Sequence, residues 1–131
     1  MEIKVHPIIA EYAKTEKPLL EIVERHYQKD NYLENILFKL VKDEKKLNLE
    51  DNFFEEIDQA INSGHPNSEL YLFFVLISIN YVTRKKEFKK ANSLTSIAAS
   101  LLTEQTIPIV QVLYFQALAD LKYFEGKGEE S

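Results

Sequence analysis

A chain of 131 residues has material for one hydrophobic core, and 45% hydrophobic with 28% charged residues is the balance of a folded domain, not a disordered one. There is no cysteine, which removes disulfides, thiolate metal sites and a thiol nucleophile together. The net charge of −5 argues against a general affinity for nucleic acid, and the longest apolar run, Leu70 to Val82, falls short of the roughly 20 residues that cross a bilayer.

Charge is unevenly distributed: residues 1–66 hold fourteen acids against nine bases, while 67–131 hold seven of each. The acidic half is read as a solvated face. Met1-Glu2-Ile3-Lys4 lacks the basic and apolar regions of a secretory leader, and with the absent cysteines this predicts a cytoplasmic protein. Glycine and proline are scarce, no Asn-Gly or Asp-Gly hairpin signal occurs, and apolar residues recur every three or four positions. The fold class is therefore all-α: antiparallel helical hairpins, about six helices, in a single domain over 1–131 with 126–131 a frayed polar tail.

In chain order, a short helix is predicted over Pro7 to Lys14, with Ile8, Ile9 and Tyr12 on one side. A second starts at Pro18, where a missing N–H costs nothing in a first turn. Its stripe is Leu19, Leu20, Val23 and Tyr27. Asn31-Tyr-Leu-Glu34 reads as a capping box, followed by inward Leu33, Ile36, Leu37, Leu40 and Val41; alternatively Asp30-Asn31 lies inside one longer helix. Asn48, backed by Glu50 and Asp51, opens a helix with Leu49, Phe53, Ile57, Ala60 and Ile61 inward, which Ser63-Gly64-His65-Pro66 ends. Asn67 or Ser68 caps the apolar Leu70–Val82 helix. The next runs from about Lys86 to Leu102 with Phe88, Ala91, Thr95, Ala98 and Leu102 inward. The last runs from about Pro108 to Phe124 and is apolar on most sides.

Within Leu72 to Ala98, Phe88-Lys-Lys-Ala91 followed by Ala98 places an aromatic, then a small residue three later, then another seven later. This segment resembles a tetratricopeptide unit, a pair of helices whose second packs closely on the first through those small residues. A partial second copy follows forty residues on, where Leu118-Ala119 would end a first helix and Gly126 would make the turn. The period of forty departs from thirty-four, Ile79 stands where a small residue is usual, and Lys86 stands where the family has a turn glycine. The resemblance implies a right-handed two-helix solenoid, with a closed helical bundle as the alternative. It also implies a concave groove lined by Phe73, Leu76, Asn80 and Arg84, then Leu113, Gln116, Asp120, Tyr123 and Phe124. Read without the resemblance, Asn80 and Gln116 are satisfied core amides and Arg84 is solvated.

Chemistry is hard to find. His6, His26 and His65 are far apart, with no Glu-x-x-His or His-x-x-x-His pair. His6 and His65 each precede a proline and are read as exposed turn residues. No glycine-rich loop precedes a helix. The Glu55-Glu56-x-Asp58 and Glu129-Glu130 clusters and the basic run Arg84, Lys85, Lys86, Lys89, Lys90 read as solvated faces. No catalytic residue, metal site or cofactor is expected.

The last helix carries apolar residues on more than one face, and Phe115 and Leu118 are expected to form an interface. Three functions compete. The first is a non-enzymatic protein–protein interaction module, an adaptor or small chaperone similar to the tetratricopeptide-type chaperones of bacterial type III secretion, which binds a peptide or helix. The second is a self-associating structural domain, a homo-oligomer or the N-terminal part of a larger helical-repeat scaffold. The third is an enzyme or small-ligand regulator on a helical bundle, which would require an internal pocket with convergent polar groups.

Overall fold

A computed structural model describes residues 6–15, 17–46, 54–62, 69–104 and 106–130, with side chains for all of these except 43–46, 54 and 127–130. Among the described residues the fold is entirely helical: α1 (Pro7–Lys14), α2 (Leu19–His26), α3 (Tyr32–Lys46), α4 (Phe54–Asn62), α5 (Glu69–Arg84), α6 (Phe88–Leu101) and α7 (Pro108–Glu130). They divide into two compact units, Met1–Tyr71 and Leu72–Ser131. The expected caps at Asn48 and at Asn67 or Ser68, and the stop at 63–66, lie outside the described residues.

In the first unit α1 packs on α2, α2 on α3, and α3 on α4. Short amphipathic helices of this kind are marginal alone and gain their stability from the row they bury. Ile8 and Ile9 of α1, Ile22 and Val23 of α2, and Leu33, Ile36, Leu37, Leu40 and Val41 of α3 are all buried, as are Ile57 and Ala60 of α4. Ile22 and Val23 are the buried residues of α2, while Leu19 and Leu20 of the expected stripe are half-buried; Pro18 occupies the N-cap position. Tyr27 and Phe38 stack at 4.2 Å between ring centroids, closing the α2–α3 turn. The Tyr71 hydroxyl donates to the Ile61 carbonyl at 3.1 Å and so ties the start of α5 to the end of α4.

In the second unit α6 packs on α7. Ala91, Leu94 and Ala98 are the buried row of α6, and Val110, Leu113, Ala117 and Leu121 that of α7. α5 is buried almost throughout from Leu70 to Thr83, including two polar residues, Ser78 and Thr83, whose hydroxyls have no hydrogen-bond partner. A three-residue turn joins α5 to α6. Lys86 there has φ of 64°, its N–H donates to the Thr83 carbonyl at 3.0 Å, and the Glu87 N–H donates to the Val82 carbonyl at 2.9 Å. That paired pattern is a Schellman C-cap, whose left-handed position usually holds glycine. Lys86 thus does the conformational work of the turn glycine that the sequence lacks there.

The second partial repeat is not formed as expected. No turn occurs at Gly126; α7 continues through it to Glu130. An interior glycine costs a helix about 1 kcal/mol relative to alanine but does not end it without a capping geometry.

Candidate interaction surface

In the first unit titratable side chains converge in two places, and their geometry is that of an anchor. His6 caps α1: its Nδ1 accepts from the Ile8 N–H at 3.1 Å, which leaves the ring proton on Nε2, facing Glu34 Oε2 at 3.3 Å. Glu34 Oε1 accepts from the Gln28 N–H at 3.1 Å, and the Glu34 N–H donates to Asn31 Oδ1 at 3.1 Å. The capping box is therefore only half made. Asn31 caps α3 as expected, but the glutamate turns to His6 and Gln28 instead of back to Asn31. A second knot joins α1 to α2, where Glu11 Oε2 meets His26 Nε2 at 2.6 Å and Glu11 Oε1 meets Arg25.

His6 is thus half-buried and structural, which corrects its reading as an exposed turn residue. A residue before a proline at the first helical position is well placed to be the cap. All four oxygens of Glu11 and Glu34 already face donors, so neither carboxylate stands ready for a substrate. Among the described residues no three His, Asp or Glu side chains converge on a metal position, and no described helix is long and apolar enough to cross a membrane. His65 lies outside the described residues.

The residues chosen from sequence for partner binding separate into two sets. Phe73, Leu76 and Leu113 are buried and Asn80 is half-buried, so they do not present an open groove wall. Arg84, Gln116, Asp120, Tyr123 and Phe124 are exposed. Of the two interface candidates, Phe115 is exposed and Leu118 half-buried.

Five large hydrophobic side chains are exposed among the described residues, and four of them lie on α7: Val112 at 48%, Phe115 at 64%, Tyr123 at 57% and Phe124 at 38%. Helical spacing explains the arrangement. Val110, Leu113, Ala117 and Leu121 form the inward row, while Val112, Phe115, Ala119 and Tyr123 form a second row that turns outward. The rings reinforce one another, since Tyr114 and Phe115 meet edge to face at 5.5 Å, and Tyr123 and Phe124 do so at 5.4 Å. Asn92 Nδ2 of α6 donates to Glu125 Oε2 of α7 at 3.3 Å on the exposed side of the pair. At its start Gln111 Nε2 donates to the Thr106 carbonyl at 2.6 Å, tying the first turn of α7 to the preceding loop. Val112 belongs to this surface and was not among the residues chosen from sequence; its spacing of three from Phe115 is the signal that would have found it.

Comparison with protein-family models, with curated proteins and with solved structures gives no match.

Proposed function

We propose that this chain is a non-enzymatic protein–protein interaction module, an adaptor or small chaperone, and that the outward face of α7 receives the partner. The observation carrying the reading is the concentration of exposed apolar side chains on that one helix. With roughly 150–250 Å² of buriable surface per aromatic side chain, Phe115 and Tyr123 of the outward row leave roughly 240 Å² of ring surface in water. The largest apolar patch a folded chain exposes is often a functional one, which supports reading this row as a contact site. An amphipathic helix or an extended apolar peptide is the partner class whose side chains match a row spaced every three to four residues.

The tetratricopeptide-like arrangement, set against a closed bundle, draws its support from α6, where Ala91 and Ala98 are both fully buried at the family's spacing from Phe88. The absence of cysteine supports a reducing, cytoplasmic setting. The test is capture of partner proteins from cells that make the chain, with wild type compared with Phe115→Glu and Tyr123→Glu. Loss of the captured protein, at unchanged helical content, is the expected result. If both variants retain every association of the wild type, α7 is not the contact face.

A further inference from the structure

We propose that the basic turn between α5 and α6 receives an acidic, carboxylate-rich segment of a partner protein. This rests on the reading of the chain as an interaction module and adds the partner's chemistry and a second contact point. Residues 84–90 hold five cations and one acid, in a chain whose net charge is −5, so the rest of the chain is more acidic than the whole. Arg84, Lys86 and Lys89 are exposed. Among the described residues the side chains of Lys86 and Lys89 have neither a hydrogen bond nor an ion pair. Lys85 lies over the Tyr81 ring, its Nζ 5.4 Å from the centroid, which holds that ammonium group beside the turn.

Local stability does not account for these cations. Lys86 holds a left-handed position, φ 64°, where an L-residue bears a steric cost that glycine escapes. α6 has no acid in its first turn and no side-chain cap from Glu87. Lys89 and Lys90 stand in that turn instead, at the positive end of the helix dipole, where cations are disfavoured. A solvated face is served as well by neutral polar residues, and a turn by glycine. An anionic partner offsets each of these local costs.

The make-up of the patch favours carboxylates on a flexible segment. Four of the five cations are lysines, whose ammonium groups act as mobile point charges and require no planar, bidentate partner. They are spread over the end of α5, the connecting turn and the start of α6, which suits several carboxylates spaced along an extended chain at about 3.3 Å per residue. A nucleic acid calls for a longer basic track, and the acidic remainder repels such an extended polyanion. The same remainder disfavours binding of a short acidic segment elsewhere, and so directs it to this turn.

Fluorescence anisotropy of a labelled hexaglutamate peptide, titrated with the whole chain, tests this. The peptide is expected to bind at about 0.01 M ionic strength and at least about fivefold more weakly at about 0.15 M, as the screening length falls from about 30 Å to about 8 Å. Lys86→Glu combined with Lys89→Glu lowers the affinity at least about tenfold. Lys29→Glu combined with Lys39→Glu makes the same change in net charge at exposed positions of the first unit, and leaves the affinity within about twofold. Lys86→Gly guards against loss of fold: it is expected to be the more stable protein and still to bind about threefold more weakly, which a purely structural role for Lys86 does not produce. No binding at the lower ionic strength, or an equal loss from both charge-reversed pairs, overturns the proposal. So does tighter binding of a single-stranded oligonucleotide, or of phosphatidylserine vesicles, than of the peptide. If the peptide fails while Phe115→Glu still abolishes capture of a partner, the α7 face stands and the basic turn is no contact. If the peptide binds as expected while Phe115→Glu changes no association, the turn stands and the α7 face falls.

Discussion

Replacing Lys86 by glycine is expected to stabilise the chain by about 0.5–1 kcal/mol, although it deletes a whole side chain. At φ of 64° the lysine Cβ crowds the adjacent carbonyl, a cost of roughly 1–2 kcal/mol for an L-residue that glycine does not bear. Against this, glycine has more unfolded-state freedom to lose, about 0.5–1 kcal/mol. The exposed lysine side chain adds little on the other side of the balance. Both cap hydrogen bonds, Lys86 N–H to Thr83 and Glu87 N–H to Val82, use backbone atoms and survive the change. Urea unfolding followed by circular dichroism should show a midpoint shift of roughly 0.3–0.7 M at unchanged slope. Lys86→Ala is the control, because it removes the same charge and length but keeps the Cβ, and it should lie within about 0.5 kcal/mol of wild type. Equal stability of the glycine and alanine variants, or a glycine variant below wild type, would refute the claim that the left-handed turn is strained.

Glu11→Gln is expected to cost about 1–2 kcal/mol, because it weakens the carboxylate contacts to both His26 and Arg25; hydrogen exchange should accelerate most at α1 amides, and uniform protection would show that the knot does not anchor α1. Gly126→Ala is expected to gain about 0.5–1 kcal/mol, since a Cβ at that helical position meets nothing within 4 Å, and a loss of helical content would contradict it. Burial raises the Tyr12 and Tyr71 phenols above their ordinary value near 10, so the fold favours the neutral form. Their contribution is complete below pH 10 and is lost as pH climbs through the raised values. Denaturant midpoints should therefore fall above pH 10, and Tyr12→Phe and Tyr71→Phe should flatten that fall; an unchanged slope in both variants would exclude these phenols as its source.

How much was legible in the sequence depended on how polar the far side of each helix is. In α3 all five residues assigned inward are buried, because Lys39 and Lys42 mark the opposite face without ambiguity. In α5 no such contrast exists. Phe73 and Leu76 are buried, but so are their neighbours Leu72, Phe74 and Val75, and periodicity cannot choose among residues that are all apolar. The cap role of His6 was within reach, since Pro7 at the first helical position points to the residue before it. Glu11 and His26 lie fifteen residues apart on different helices, so only the packing of α1 on α2 brings them together. The left-handed turn at Lys86 was obscured for a related reason: the backbone pattern formed without the glycine that normally announces it.

α7 makes the ambiguity of an all-apolar helix informative. Burial of Val110, Leu113, Ala117 and Leu121 already supplies the row that α7 needs to dock. The second row contributes little burial to the fold, because Phe115 keeps 64% of its surface exposed. Folding alone therefore does not require an aromatic ring there, whereas contact with another apolar surface does. The two requirements separate in one variant. Phe115→Glu should leave unfolding free energy within about 0.5 kcal/mol of wild type, as surface substitutions do, while abolishing association. A loss of the 3–5 kcal/mol typical of emptied core positions would instead assign the ring to the interior. Leu121→Ala, from the buried row, is the internal standard: it should destabilise by about 2–5 kcal/mol. Its association should weaken only in proportion to the folded fraction.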